Sequence, residues 1–187
     1  VEGTYNVLEA SKNLNCKNVI ITSTSEVYGS AQYIPIDEYH PINSQSPYAA
    51  SKASADQLAL SYYRSFNLPV KILRPFNTYG PRQSNRAIIP SIINQCLKSR
   101  NKKIILGNVN PKRDFSYVSD TCEAFFKKFN NKKSFGQIIN SGTNTNISIN
   151  DLAKKIFKIM KLKYKIKSTS KKMRPNLSEV NNLLCAN

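Results

Sequence analysis

The sequence predicts an α/β chain built on a parallel sheet. Short β-branched runs alternate with longer segments of helical spacing, Gly and Pro fall at the junctions, and 187 residues suffice for one domain with a real core. In chain order, Tyr5, Val7, Leu8 and Ala10 place a helix near 2–14, and the apolar run Asn18 to Thr22 a strand over 18–23. Ser46 as N-cap and Pro47 at the first helical position start a helix over 47–66. A strand over 70–74, a helix over 87–99, a strand over 103–106, a helix over 118–130 and a strand over 136–140 follow. The last helix spans 148–160, where Asn150-Asp151 reads as its start and Leu152, Ile156 and Ile159 as its apolar face. The breaks between elements fall at Gly29, Pro35, Pro41, Pro69, Gly80-Pro81, Pro90, Gly107, Pro111, Gly142 and Pro175.

Composition narrows the function classes. Lys and Arg number 28 against 11 Asp and Glu, a formal charge of +17. The excess is lopsided: residues 1–97 hold eight basic and six acidic groups, residues 98–187 twenty and five. A basic half raises nucleic acid or a membrane as partners. The lysines, however, come in pairs among Asn and Ile, as at Lys127-Lys128 and Lys154-Lys155, and no nucleic-acid motif accompanies them. A mostly solvated face, of some use in attracting an anionic substrate, is the expectation. Cys16, Cys96, Cys122 and Cys185 are too scattered for a metal site or a disulfide framework. They are expected to be small buried or half-buried thiols in a cytoplasmic protein. No apolar run approaches the ~20 residues of a membrane span.

The chemistry concentrates in two stretches. Ser23-Thr24-Ser25-Glu26-Val27-Tyr28-Gly29 comes off the C-terminal end of the first predicted strand, where open α/β sheets bind ligands. Tyr48-Ala49-Ala50-Ser51-Lys52 follows the Ser46-Pro47 helix start. Tyr48 and Lys52 therefore lie one turn apart on one helix face, at the end that meets the loop. A tyrosine ordinarily titrates near ~10, and an adjacent ammonium favours the phenolate, a base for an alcohol proton. The bare pair is common on surface helices; its position beside the first stretch singles it out.

These two stretches are joined by Arg74-Pro75-Phe76-Asn77-Thr78-Tyr79-Gly80-Pro81-Arg82 and by Arg113-Asp114-Phe115-x-Tyr117-Val118-x-Asp120. The ordered set resembles the extended short-chain dehydrogenases/reductases that act on nucleotide sugars, and among them the NAD-dependent 4,6-dehydratases of the legionaminic-acid type. The resemblance implies a partial Rossmann-type, doubly wound parallel sheet with an interleaved small substrate-binding lobe. Residues 1–80 and 113–143 would belong to the sheet, residues 81–112 and 144–187 to the lobe. Six glycines, at 3, 29, 80, 107, 136 and 142, form no Gly-x-x-Gly-x-x-Gly, so the phosphate-cradling unit of the family has no counterpart here. The chain is accordingly expected to be an internal fragment of a longer enzyme, inactive and weak in NAD binding by itself.

The resemblance also implies roles. Tyr48 takes the proton of the sugar C4 hydroxyl while a hydride passes to NAD, Lys52 holds the nicotinamide ribose, and Thr24 hydrogen-bonds the same hydroxyl. Glu26 removes the C5 proton so that C6 loses water. Ser25 stands where the dTDP-glucose type of dehydratase carries Asp, which is closer to the GDP-mannose pattern in which Glu serves both steps. Ser23 and Pro75 would abut the nicotinamide. Asn77, Arg82, Arg86, Arg113 and Arg174 would hold a nucleotide sugar of GDP- or UDP-hexosamine type, and the intact protein would be a homodimer paired through the first helix and the Tyr48 helix. UDP-glucuronate decarboxylases share Thr-Ser-Glu, so a decarboxylase or a 4-epimerase on the same scaffold stays open, as does a non-catalytic NAD- or anion-binding relative.

Overall fold

Three strands form the sheet that carries the site: β1 (Val19–Thr22), β2 (Val70–Pro75) and β6 (Ile138–Ser141), all parallel, in the order β1-β2-β6. They belong to a computed structural model that describes residues 1–99, 101–173 and 175–186. The remaining elements are helices α1 (Glu2–Asn13), α2 (Pro47–Phe66), α3 (Ile88–Lys98), α4 (Val118–Asn130) and α5 (Ile149–Ile159), and strands β3 (Asn77–Tyr79), β4 (Lys103–Leu106), β5 (Lys112–Tyr117), β7 (Asn146–Ser148) and β8 (Lys165–Ser168). β3, β5 and β7 make a second sheet, and β4 pairs with β8 in a third.

The elements follow local chemistry. Ser46 Oγ accepts from the Ala49 N–H at 3.1 Å with Pro47 in the first turn of α2, and Asn67 ends that helix in the left-handed region at φ 53°. Pro90 does not break the chain; it sits in the first turn of α3, where a missing N–H costs nothing. The start of α5 lies two residues earlier than Asn150-Asp151 suggests, because Ser148 is the cap, its Oγ accepting from the Asp151 N–H at 3.0 Å. Strands β3, β5, β7 and β8 were not expected. β3 and β7 are three residues long, and Lys-Arg-Asp-Phe-Ser-Tyr and Lys-Ile-Lys-Ser hold too few apolar residues to signal a strand.

Three apolar clusters hold these layers. Leu8, Val19, Ala59, Leu60, Tyr62, Val70 and Ile72 join α1 and α2 to the parallel sheet. Ile92, Ile104, Leu106, Leu152, Ala153, Ile156 and Phe157 join α3 and α5 to β4. The third, with Val27, Tyr28, Ile36, Phe76, Val180, Leu183 and Cys185, pins the C-terminal segment beneath the turn that follows β1. Each fully buried Ile or Leu contributes roughly 1.5–3 kcal/mol. Of the cysteines, Cys96 and Cys185 are buried and Cys16 half-buried, but Cys122 is exposed on α4, against expectation.

One carboxylate ties the C-terminal segment to the β3-β5-β7 sheet and to the turn between β6 and β7. Asp114 in β5 is fully buried and accepts from Thr143 N–H at 2.9 Å, Thr143 Oγ1 at 2.6 Å, Asn144 N–H at 3.1 Å and Cys185 N–H at 3.2 Å. Gly142 is required beside it, since a Cβ there would overlap the Cys185 side chain. Burial, with the Asp114 and Glu38 carboxylates, pushes the Cys185 thiol up to about 12. Replacing Asp114 by Ala strands these donors in the interior. We expect Asp114→Ala to lower stability by on the order of 3 kcal/mol, read as a fall in the urea midpoint by circular dichroism.

Candidate active site

The turn after β1 is set by its own side chains. Thr24 caps a single helical turn over Ser25–Tyr28, its Oγ1 accepting from the Glu26 N–H at 3.3 Å, which leaves the hydroxyl proton available to a further acceptor. Gly29 closes the turn at φ 62°, and a Cβ there would run into the Asn43 carbonyl oxygen. Ser25 is buried beneath the turn, so Glu26, half-buried, is the member of Thr-Ser-Glu that reaches an open cleft.

Tyr48 and Lys52 occupy the first two turns of α2, where the Ser46-Pro47 signal puts them. The Tyr48 ring is 52% exposed, so its phenol is free to meet a ligand. Lys52 Nζ donates to the Thr22 carbonyl at 2.8 Å, which holds the ammonium over the C-terminal end of β1. Ser23 and Thr24 follow at the same strand end. The Lys52 ammonium and the Thr24 hydroxyl thus lie where β1 leaves the sheet, with Tyr48 one turn before Lys52 on the same helix. They fit the nicotinamide-ribose end of a dinucleotide, and Pro75 ends the neighbouring strand.

Beneath this array lies a buried polar chain that the sequence did not disclose. Ser23 Oγ donates to Asp56 Oδ2 at 2.8 Å, and Arg74 Nε donates to the same oxygen at 3.0 Å. Arg74 Nη1 donates to the Tyr28 hydroxyl at 2.9 Å, which in turn donates to Asn140 Oδ1 at 2.8 Å. Asp56, Arg74 and Tyr28 are each at most 1% exposed. Burial pushes the Asp56 carboxyl up from the ordinary aspartate range, and the pull of Arg74, Ser23 and Lys52 reduces the rise without cancelling it. Burial likewise pushes up the Tyr28 phenol against the opposing effect of Arg74.

A cleft of about 370 Å³ opens beside the turn, bounded by the loop before α3, by β3 and β5, and by the C-terminal segment. It brings together four of the expected residues, Glu26, Asn77, Arg86 and Arg113, and adds Glu179, which the sequence reading passed over. Arg113 lies 3.7 Å from Glu179 and donates to the Lys112 carbonyl at 2.9 Å. Asn77 Oδ1 is buried there with no hydrogen-bond partner among the described residues, a polar atom placed for a ligand. Arg82 is exposed at φ 65° and does not line the cleft, and Arg174 lies outside the described residues. A larger hollow of about 570 Å³ between α3 and α5 is walled by Ile89, Ile93, Ile156, Ile159 and Met160, and Lys155 is its one charged wall residue, too few polar groups to fix a diphosphate.

The chain is similar to known proteins over nearly its whole length. Residues 1–184 match the family model of GDP-mannose 4,6 dehydratase. The dTDP-D-glucose 4,6-dehydratase of Dictyostelium discoideum is 40% identical over 168 residues, 84% of this chain and 38% of that protein. The dTDP-glucose 4,6-dehydratase of Bacillus anthracis, solved in complex with NAD, superposes with a TM-score of 0.89 at 30% identity, over 100% of this chain and 58% of that one. The UDP-glucuronic acid 4-epimerase of Bacillus cereus, solved with UDP-glucuronic acid and NAD, superposes with a TM-score of 0.86 at 29% identity, over 98% of this chain and 57% of that one. The chain spans less than half the length of the first relative and somewhat over half that of the two solved structures.

The raised Asp56 value fixes the sign of a pH effect. The folded-state value lies above the unfolded one of ~3.9, so the protonated form is favoured in the fold; the stability this contributes is full below ~pH 3.9 and is lost as pH rises through the folded value. Measured against Asp56→Asn, which cannot titrate, the wild-type urea midpoint should fall as pH rises from about 4 through the raised value. A relative rise over that interval would mean that pairing with Arg74 outweighs burial.

Proposed function

The chain belongs to the GDP-mannose 4,6-dehydratase family, and we propose that it carries the acid-base and substrate-holding machinery of an NAD-dependent nucleotide-sugar 4,6-dehydratase. The observation that carries this reading is Glu26 opening into the same cleft as Arg86 and Arg113, on the turn that follows the strand end where Lys52 is held; Tyr48 and Lys52 themselves do not line that cleft. A carboxylate that removes a sugar proton has to share its cleft with the cations that hold the nucleotide diphosphate.

Tyr48 is the base that takes the proton of the C4 hydroxyl, Lys52 lies one turn away on the same helix face, and Thr24 hydrogen-bonds the C4 oxygen through its hydroxyl. Ser23, Lys52 and Pro75 would hold the nicotinamide end of NAD, which would supply a hydride acceptor for C4 and a hydride donor for C6. With C4 a ketone, the C5 proton is acidic, and Glu26 removes it. Glu26 then returns that proton to the C6 hydroxyl, which leaves as water, because Ser25 is buried and carries no acid. As hydride arrives at C6, C5 takes up a proton from solvent and Tyr48 releases the C4 proton to solvent, so the proton count closes on a 4-keto-6-deoxy sugar with one water lost. Arg113 and Arg86 hold the diphosphate, and Asn77 the adjoining sugar or phosphate oxygens.

A hexosamine linked to GDP or UDP is the substrate class this reading favours. The outer face of α1 and α2, with Tyr5 and Val7 about half exposed beside a shallow groove walled by Ile42, Ala53 and Leu58, offers a surface for a second copy. Sheet residues 1–80 and 113–143 and lobe residues 81–112 and 144–187 would divide the work into chemistry and substrate holding. The assay is the natural-length protein with dTDP-glucose, GDP-N-acetylglucosamine and UDP-N-acetylglucosamine in turn. We expect one of them to lose the mass of one water, and Glu26→Gln to slow that loss by on the order of 10²–10⁴ with little change in nucleotide binding. Carbon dioxide from UDP-glucuronate, or C4 inversion without loss of water, would replace the dehydratase by a decarboxylase or an epimerase.

A further inference from the structure

We propose that the buried chain Asp56–Arg74–Tyr28 is a positioning device for the reaction, fixing the turn that carries Thr24 and Glu26 relative to the helix face that carries Tyr48 and Lys52. This rests on the dehydratase reading for its consequence but on the structure for its geometry. The reacting groups come from separate elements: Glu26 and Thr24 from the turn after β1, Tyr48 and Lys52 from α2. Their spacing has to be held to well under ~1 Å, since a 1 Å misplacement can cost about a hundredfold in rate. Asp56 is on the same helix and the same face, four residues beyond Lys52 and eight beyond Tyr48. From there its carboxylate reaches Ser23 at the root of the turn at 2.8 Å and Arg74 on β2 at 3.0 Å. Arg74 passes the link to Tyr28 at 2.9 Å, and Tyr28 is the last residue of the Glu26 turn. The Tyr28 hydroxyl is anchored in turn to Asn140 on β6.

Stability alone does not account for this chain. One carboxylate oxygen takes both donors, while Asp56 Oδ1 and Arg74 Nη2 are buried with no hydrogen-bond partner among the described residues. The pair therefore forgoes the bidentate geometry that makes such a bridge strong. Well-packed apolar side chains of the same volume would serve a core at least as well. Apolar contacts, however, tolerate small sliding of one element on another. Directed hydrogen bonds from a single carboxylate to two different elements do not.

The test uses Tyr28→Phe in the natural-length protein, which keeps the ring and removes only the hydroxyl that joins Arg74 to the turn and to β6. We expect kcat to fall on the order of tenfold to a hundredfold while KM stays within about twofold. Amide exchange should quicken over 23–29 and stay unchanged over the distant 149–159. Asp56→Asn should lower kcat further; if it does not fold, Tyr28→Phe decides alone. An unchanged kcat in Tyr28→Phe, or exchange that quickens equally throughout, would overturn the proposal. If the parent protein dehydrates no nucleotide sugar, the dehydratase reading fails, and the exchange comparison still decides whether the chain holds the turn.

Discussion

The placement of the candidate site depends on one buried ion pair, Asp56 with Arg74. It joins α2 to β2 at the level where β1 ends, so the helix bearing Tyr48 and Lys52, the strand-end hydroxyls and the Glu26 turn are all referred to one point. Burying two charges is costly, and the rise in the Asp56 carboxyl shows burial to be the larger influence on it. Removing either partner alone would leave an unpaired charge in the interior, a loss of about 3–5 kcal/mol. The same arrangement therefore specifies register and makes the region intolerant of substitution.

Asp114 does for the opposite wall what Asp56 does for the sheet. Its oxygens collect the Thr143–Asn144 turn and the Cys185 amide, while the backbone around Cys185 pairs with Ile36. The C-terminal segment is thereby carried across to the turn after β1, where Ser30 Oγ donates to the Glu179 carbonyl at 3.4 Å and the Glu179 side chain faces Arg113. Two buried carboxylates, each accepting from more than one element, thus place the two walls of one cleft.

How much of this could be read from the chain alone follows from the range of each interaction. The Ser46-Pro47 cap and the β-branched runs are local, so α2, β1, β2 and β4 fall where spacing puts them, within a residue or so at each end. Strands β5 and β8 escape because their residues are mostly polar and gain strand geometry only from partners far along the chain, Asn77–Tyr79 for β5 and Lys103–Leu106 for β8. For the site, Glu26, Tyr48 and Lys52 announce themselves by type and spacing. Glu179 and the Asp56–Arg74 pair do not, since an isolated Glu or an Asp on a helix carries no mark of what it will meet. Arg82 stands inside a recognisable run, yet it is exposed and does not line the cleft.

The distribution of charge settles what attracts and what selects. The chain carries +17 overall, but among the described residues the charged ones lining the cleft are Glu26, Arg86, Arg113 and Glu179, two of each sign. The surplus lysines therefore act only at a distance, and at physiological salt their influence fades within about 8 Å. They can raise the encounter rate of an anion without discriminating one from another. On the proposed reading, selection falls to the cleft, where a diphosphate would displace Glu179 from beside Arg113 and an uncompensated approach would bring it toward Glu26. Only a ligand that keeps its phosphates on the Arg86 and Arg113 side, with an uncharged ring toward Glu26, satisfies both signs at once. A sugar joined to a nucleotide diphosphate has that polarity; a bare polyanion has not.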